Sequence, residues 1–271
     1  MATPADKLEA SAEVLYDVSD HIATITLNRP DQQNTISGPM LAAFSELLLR
    51  ADADTDVRAI IIIGSGRFFC AGLDLRGGGI AAGLSDQNAS ANNLDLRNAP
   101  PTVLHNLDTP TICALNGSAA GYGMDMALGC DIRLMADGAK LAAAFTARGV
   151  VPESGGTWLL PRLLGWSKAA EIIFTGRTLL ADECERLGLV SRVVPAAEIA
   201  QVARELALEI ASNAPLAVQA SKRMMRMGMN ETFNDHVRHV YLQLLPLFRS
   251  EDFKEGMRSF MEKREADFKG R

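Results

Sequence analysis

Two glycine-bearing turns are the segments of this sequence best suited to chemistry. They span residues 69–75 (FCAGLDL) and 116–125 (NGSAAGYGMD), and each follows an apolar run, at 59–63 and 111–115, that predicts a buried strand. Each turn then begins what we expect to be a helix. Glycine permits a tight turn there and leaves backbone N–H groups unused at the helix start. Two such turns in one domain predict two N–H donors directed at one oxygen, the geometry of an oxyanion hole.

Two carboxylates lie close in sequence to glycine turns. Asp125 falls four residues beyond Gly121, and Glu153 lies between Pro152 and the pair Gly155-Gly156 in a segment that predicts a rigid turn. An acidic residue near a helix start commonly does no more than complement the helix dipole. A fixed carboxylate beside an oxyanion site is also what proton transfer, or the positioning of a water, requires. Both interpretations stay open from the residues alone.

Several other kinds of site are not indicated. Met126 stands where the third glycine of a dinucleotide fingerprint would be, and no glycine loop continues into a GK[ST] phosphate motif. Ser118 and Ser154 lack the GxSxG setting of a serine hydrolase. No HExxH or clustered metal-ligand spacing occurs, because the histidines are scattered at His21, His105, His236 and His239.

Length and composition predict one large soluble domain, or one domain with a tail. The chain has 271 residues, 48% of them hydrophobic, and a net charge of −6 that argues against nucleic acid as a partner. No apolar run reaches the roughly 18 residues of a membrane span. Residues 1–12 resemble neither a secretory signal nor a transit peptide, and we expect a flexible tail and a cytoplasmic protein. The four cysteines form no CxxC pair, which predicts buried free thiols.

Strands alternating with helices indicate an α/β core over residues 13–195. We predict a hairpin over 14–27 that breaks at Ser19-Asp20, a helix over 39–49, a buried strand at 60–63 and a strand pair at 132–135 and 141–145. The glycine- and asparagine-rich stretch 76–101 predicts a pocket lid. From Ser154 the pattern is almost wholly helical, and residues 196–271 form a helical C-terminal region. The predicted helices are 167–174, 181–187, 196–211, 215–227, 231–249 and 251–264.

The C-terminus is locally basic in an acidic chain. A solvated helix face explains such a pattern, as does a phosphate-bearing ligand or contact with another subunit. Apolar residues among the basic ones show that the last helix docks on something: they are Phe253, Met257, Phe260, Met261 and Phe268. The basic residues are Lys254, Arg258, Lys263, Arg264, Lys269 and Arg271.

Taken together, these motifs resemble the crotonase superfamily, also called the enoyl-CoA hydratase/isomerase family. The resemblance spans nearly the whole chain and rests on separate motifs in the right order: LNRP at 27–30, residues 68–75 and 116–125, GGT at 155–157, LPRL at 160–163, SEDFKEG at 250–256 and EKR at 262–264. It implies an α/β fold built as a spiral of ββα units, with a helical C-terminal oligomerisation region that forms trimers or hexamers. It also implies acyl-CoA thioester substrates, an enolate intermediate, and no metal or diffusible cofactor.

The resemblance also assigns roles to residues. The N–H groups of Leu73 and Tyr122 would hold the thioester oxygen, and Glu153 and Asp125 would handle protons. The segment from Ala71 to Leu75 would also receive the adenine of CoA, and Lys269 would meet CoA phosphates, either of its own chain's site or of an adjacent subunit's. The substrate-binding positions are Ala71, Gly72, Asp74, Leu75, Gly121, Gly123, Phe145 and Lys269. Because the oxyanion donors are backbone groups, we expect side-chain changes at Leu73 or Tyr122 to matter less than bulk introduced at Gly72 or Gly123.

The residue types at the proton-handling positions separate two reactions. Family hydratases hold water with two glutamates, whereas this sequence carries Asp125 at the first position and Phe145 at the second. Glu153 matches a position where some family isomerases carry an acid. A phenylalanine makes the pocket drier and raises the pKa of a nearby carboxyl group, which favours double-bond migration over hydration. A hydratase that adds water to a 2-enoyl-CoA, and a non-catalytic acyl-CoA-binding protein, are the alternatives.

Overall fold

A β-hairpin opens the described part of the chain, which comprises residues 13–75 and 96–271 of this computed structural model. Strands β1 (Val14–Ser19) and β2 (Ile22–Leu27) pair antiparallel, as the alternating pattern predicted. The turn residues are Asp20 and His21, whose φ angles of 51° and 64° match the left-handed conformation that a two-residue hairpin turn needs. The predicted tail at 1–12 and most of the predicted lid, 76–95, lie outside the described residues.

Ten strands occur among the described residues, arranged in two sheets. After the hairpin they are β3 (Ala59–Gly64), β4 (Phe68–Cys70), β5 (Thr111–Leu115), β6 (Ser118–Ala120), β7 (Ile132–Ala136), β8 (Lys140–Ala142), β9 (Thr178–Leu180) and β10 (Arg192–Val194). The larger sheet has the order β1-β2-β3-β5-β7-β10 and is parallel from β2 onward. Strands β3 and β5 are continuously apolar because both faces of this sheet are covered.

Consecutive strands alternate between the sheets, and this alternation builds the spiral. Strands β3, β5 and β7 lie in the larger sheet, and each is followed at once by β4, β6 or β8 in the smaller one, whose order is β4-β6-β8-β9. The two strands predicted at 132–135 and 141–145 are present as β7 and β8, the second ending at Ala142, but they lie in different sheets. The turn after Ala136 carries the chain from one sheet to the other, so β8 pairs with β6 and β9 instead.

Ten α-helices accompany these strands in the described residues. The predicted C-terminal helices are present, each with ends within three residues of the expected bounds, although β9 and β10 interrupt the stretch predicted as helical. The helices are α1 (Gly38–Ala53), α2 (Pro100–Asn106), α3 (Tyr122–Gly129), α4 (Gly156–Leu164), α5 (Trp166–Thr175), α6 (Ala181–Arg186), α7 (Ile199–Ala211), α8 (Pro215–Gly228), α9 (Phe233–Leu247) and α10 (Glu251–Glu262).

Both faces of the larger sheet are buried. One face packs against α1 and α3, where Phe44 and Met124 are fully buried. The other face packs against α7 through small residues, Ala203 and Ala207, which let the helix approach closely. This double covering fixes the carboxyl ends of β3 and β5, from which the chain continues through β4 and β6 to Gly72 and Gly121.

None of the helices in the described ranges has both the length and the apolar character to cross a membrane. No three His, Cys, Asp or Glu side chains of residues 13–75 and 96–271 come together as a metal-binding group. All four cysteines are buried and unbridged, as predicted.

Candidate active site

The first glycine turn is held so that one of its N–H groups faces away from its neighbour strand. Ile36 donates its N–H to Gly72 O at 2.8 Å and accepts from Asp74 N at 2.9 Å, which makes a parallel bridge between Ile36 and Leu73. Because backbone groups alternate in direction along an extended chain, the Leu73 N–H points to the opposite side. It has no acceptor among the described residues.

The second glycine turn presents the first N–H of α3. Gly121, with φ 52° and ψ −124°, adopts a conformation that side-chain-bearing residues rarely occupy, and its own N–H donates to Ala142 O at 3.0 Å. Tyr122 is the first residue of the helix, so no carbonyl lies four residues earlier in the helix to accept its N–H. The N–H of Tyr122 likewise has no acceptor within the described ranges.

The two turns touch each other at their glycines. A Cβ atom placed on Gly72 would lie 3.8 Å from Tyr122 N and 3.0 Å from Ala120 O, and one placed on Gly123 would lie 2.3 Å from Cys70 O. Only residues without a side chain permit β4 and α3 to approach this closely. The structure therefore brings the segments of Leu73 and Tyr122 together, and both carry an unused N–H.

Asp125 is buried behind the second turn and bonded to the loop that follows Glu153. Its Oδ2 accepts hydrogen bonds from Ser154 Oγ and from Gly156 N, each at 3.0 Å, and its Oδ1 is buried without a described partner. Asp125 is only 1% exposed, and this burial raises the pKa of its carboxyl group to about 7, although the two hydrogen bonds oppose the rise. Neither Ser154 nor Gly156 was predicted as a partner, because the contact spans 29 residues or more.

Glu153 lies on the exposed side of the same loop. Burial of the carboxyl by its immediate surroundings raises its pKa, and its own backbone N–H opposes the rise. Its charge in turn contributes to the raised pKa of Asp125, although less than burial does. The two predicted carboxylates are therefore neighbours, one anchored inside the protein and the other open to solvent.

Phe145 borders the second turn, as the resemblance implied. The residue is 4% exposed, and a Cβ atom on Gly121 would lie 3.9 Å from its ring Cε1. An aromatic ring here excludes water and supplies no proton. The side of the site next to Gly121 is consequently apolar.

A network that the sequence reasoning missed anchors the first turn. Arg29 donates to Asp74 Oδ2 at 2.9 Å and to Thr35 O at 2.7 Å, so the Asp74 carboxylate is held by the protein rather than pointing freely at a ligand. The fully buried Asn34 donates to Ser65 O and Phe68 O. The LNRP motif contains Arg29 and was a usable signal, whereas nothing in the sequence marks Asn34. Leu75, at the end of the segment, is 63% exposed.

Lys269 is the one predicted site residue that this chain does not bring to the others. Its Nζ pairs with Asp267 at 2.8 Å, and the adjacent Phe268 O accepts from Arg58 Nη2 at 2.7 Å. Arg58 precedes β3, whereas the glycine turns follow the opposite ends of the strands. A strand of this length spans about 20 Å. A role for Lys269 from an adjacent subunit stays a prediction.

Comparison with known proteins identifies the class to which this fold and site belong. The family model for enoyl-CoA hydratase/isomerase matches residues 17–271. A 1,2-epoxyphenylacetyl-CoA isomerase of Escherichia coli is 34% identical over 265 residues, covering 95% of this chain and 98% of its own. A short-chain-enoyl-CoA hydratase of Clostridium acetobutylicum is 33% identical over 262 residues with the same coverage. The crystal structure of an enoyl-CoA hydratase from Bacillus anthracis matches with a TM-score of 0.85 and 32% identity, covering 96% of this chain and 100% of that one.

The two-sheet spiral with its helical C-terminal region is thus the crotonase fold, as predicted. The chain belongs to the enoyl-CoA hydratase/isomerase family, and it is an enzyme of that lyase or isomerase type, acting on acyl-CoA.

Proposed function

We propose that this enzyme moves a carbon–carbon double bond along the acyl chain of an enoyl-CoA thioester. The N–H groups of Leu73 and Tyr122 stabilise the enolate oxygen, and Glu153 carries the proton. The observation that carries the proposal is the contact of the two glycine turns, whose Leu73 and Tyr122 N–H groups have no acceptor among the described residues. Glu153 lies on the loop that the next residue, Ser154, ties to Asp125 of the same helix α3. An oxyanion hole of this kind contributes about 3–4 kcal/mol per donor to transition-state stabilisation.

Isomerisation needs one proton carrier. With a 3-enoyl ester, Glu153 takes a proton from the carbon next to the carbonyl, the electron pair of that C–H bond moves toward the thioester oxygen, and the resulting dienolate rests in the oxyanion hole. The same carboxyl group then gives the proton to the far carbon of the original double bond, and the oxyanion electrons return to leave a 2-enoyl ester; the reverse reaction follows the same steps backward. No atom is gained or lost overall, and no water is consumed.

Hydration fits the same residues less well. It needs a water held on both sides by acidic groups, but Phe145 fills one such position with an apolar ring. Asp125 directs one oxygen to Ser154 and Gly156 and keeps the other buried, so it is poorly placed to hold a water in the open pocket. Glu153 remains as the accessible acid among these groups. These contacts favour isomerisation over hydration.

The family resemblance supports our proposals for CoA binding and for the assembly, and the buried thiols support the one for the compartment. We propose that the backbone of Ala71–Leu75 receives the adenine, that Lys269 of an adjacent subunit meets a CoA phosphate, and that the enzyme is a homotrimer or homohexamer. No cofactor beyond the CoA of the substrate is proposed. A cytoplasmic location suits its four buried thiols, which a reducing compartment keeps unbridged.

Substitution of Glu153 by glutamine tests the proton carrier. Glu153→Gln keeps the size of the side chain but removes its acid–base function, so we expect the turnover of 3-enoyl-CoA esters to fall by about 10²–10⁴-fold with little change in CoA-ester affinity. Product positions are determined by NMR, and affinity by calorimetry. Glu198→Gln, an exposed glutamate immediately before α7, is the matched control. Isomerisation at the parental rate by Glu153→Gln would show that another group carries the proton.

Isotope incorporation separates the two reactions. With crotonyl-CoA in ¹⁸O-labelled water, a hydratase produces a labelled 3-hydroxyacyl-CoA, whereas an isomerase incorporates no ¹⁸O. In deuterated water, the isomerase introduces deuterium at carbon while it equilibrates 2-enoyl and 3-enoyl esters. Formation of the labelled hydroxy ester as the main product would assign hydration instead.

A further inference from the structure

The Tyr122 side chain has features that its backbone role does not explain. The residue is only 7% exposed, yet its hydroxyl is not among the fully buried polar atoms and has no hydrogen-bond partner in the described part of the chain. Buried tyrosines usually give their hydroxyl a partner. The ring is therefore enclosed by protein, while the hydroxyl keeps some contact with solvent.

The helix places this hydroxyl near Glu153. Tyr122 and Asp125 are three residues apart in α3, so their side chains share one face of the helix. Asp125 is bonded on that face to Ser154 and Gly156, at 3.0 Å each, and Ser154 immediately follows Glu153. The Tyr122 side chain consequently faces the loop that carries Glu153.

The electrostatics agree with this placement. Burial is the main cause of the raised pKa of the Tyr122 phenol, and the Glu153 carboxylate is the strongest charged contributor, ahead of Cys70 and Asp125. These three are the titratable groups that act on the phenol. The phenol accordingly stays protonated, and remains a hydrogen-bond donor, throughout the pH range in which the enzyme would work.

We propose that Tyr122 is a positioning residue whose hydroxyl donates a hydrogen bond to the Glu153 carboxylate when an acyl chain fills the site. The inference rests on the proposed role of Glu153 as proton carrier. A bound acyl chain displaces water from both groups, and polar groups that lose water take the nearest available partner. Glu153 otherwise lies on an exposed loop without a side-chain partner among the described residues, so this bond would hold its carboxylate toward the substrate.

Tyr122→Phe isolates the hydroxyl, because it keeps the ring and the backbone N–H of the oxyanion hole. A donor to a carboxylate favours the ionised form, so its loss should raise the pKa of Glu153. We expect the acidic limb of the kcat profile, which reports the enzyme–substrate complex, to move up by about one pH unit and kcat to fall about tenfold, with KM changed less than threefold. Thermal unfolding should be unaffected, since the deleted hydroxyl has no described partner.

Tyr16→Phe is the matched control, because the Tyr16 hydroxyl is buried without a described partner and far from the glycine turns in sequence. It should leave the pH profile unchanged. If the acidic limb does not move in Tyr122→Phe, the proposal is overturned. A rise in KM confined to substrates with an oxygen on the acyl chain would also overturn it, because the phenol would then contact the substrate. If Glu153→Gln is inactive while Tyr122→Phe keeps the parental profile, this proposal fails and the proposed function stands. If Glu153→Gln is fully active, the proposed function itself fails.

Discussion

At the scale of single residues, the site separates two carboxylates by their surroundings. Asp125, in α3, is inside the protein and bonded to a hydroxyl and a backbone N–H, while Glu153 is exposed on the loop to which Asp125 is bonded. Burial makes ionisation of Asp125 costly, whereas Glu153 retains access to substrate and solvent. The same chemical group therefore holds the loop in one case and, in our proposal, moves a proton in the other.

The buried position of Asp125 predicts a measurable dependence of stability on pH. Because its pKa in the folded state is about 7, above that of an unfolded aspartate, its contribution is fully present below about pH 4 and is lost as the pH rises through 7. The loss amounts to at most about 4 kcal/mol. Asp125→Asn stays neutral and still offers an oxygen to Ser154 and Gly156, so it should abolish this part of the decline.

Urea unfolding of both proteins at pH 5 and pH 8, at one fixed chain concentration, measures the difference. We expect the free energy of unfolding of the wild type to fall between the two pH values by more than that of Asp125→Asn. Equal declines in the two proteins would show that Asp125 is ionised without penalty and that its burial has been misjudged.

Some features of the site are encoded in short sequence motifs, whereas others depend on contacts between distant segments. Leu73, Tyr122, Asp125 and Glu153 are predicted from the sequence because each lies in a short motif at a strand or helix end, and their roles stay predictions. The bonds of Asp125 to Ser154 and Gly156 could not be predicted, since they depend on how α3 and α4 meet. No pattern of residue types records such a contact, and a single sequence offers no other means of finding it.

At the scale of elements, the site depends on how closely β4 approaches α3. Cys70 at the end of the strand lies against Gly123 in the first turn of the helix, and Gly72 lies against Ala120 and Tyr122. The separation of the Leu73 and Tyr122 segments is therefore set by positions that carry no side chain. If their N–H groups are the oxyanion donors that we propose, the chemistry depends on packing between two short elements.

A methyl group at Gly123 should force these elements apart. In Gly123→Ala the new Cβ would lie 2.3 Å from Cys70 O, a backbone atom that cannot move aside alone. We expect a loss of about 1–3 kcal/mol in the free energy of unfolding and a fall of 10²-fold or more in kcat, because both donors shift relative to the carbonyl oxygen. Denaturant unfolding and steady-state kinetics measure the two effects.

Gly38→Ala is the control for the added methyl group. Gly38 is also in the first turn of a helix, α1, but a Cβ there would meet nothing within 4 Å. We expect this variant to be as active and at least as stable as the parent, since alanine is the better helix former. If Gly123→Ala behaved like Gly38→Ala, the close approach of β4 and α3 would not be needed for activity.

The elements themselves were largely predictable, but their arrangement was less so. The hairpin, the apolar strand β3 and the C-terminal helices follow from periodicity and turn residues. The assignment of β7 and β8 to different sheets does not, because alternating residues show that a strand has two faces and not which strand it joins. Strands of three residues, such as β9 and β10, are too short for any period to be recognised.

At the scale of the whole molecule, the C-terminal helices leave a large apolar surface uncovered in the single chain. Few of their large side chains are buried, and α9 has none that is. Single monomers rarely expose so many large apolar groups, which supports the proposed assembly of several chains. The exposed residues include Met225, Phe233, Tyr241, Leu242, Phe260 and Met261.

A charge placed on this surface should prevent assembly. Phe260, in α10, is 81% exposed in the single chain, and Phe260→Glu would bury an unpaired carboxylate in any interface formed there. Light scattering should give the wild type a mass three or six times the 29.1 kDa of one chain, and the variant a mass close to that of one chain. Leu15→Glu, on the edge strand β1 where Leu15 is 42% exposed, should leave the assembly intact. A wild type that stays monomeric would contradict the proposed trimer or hexamer and leave Lys269 without a subunit from which to reach CoA. A Phe260→Glu variant that assembles normally would show that the interface lies elsewhere than at Phe260.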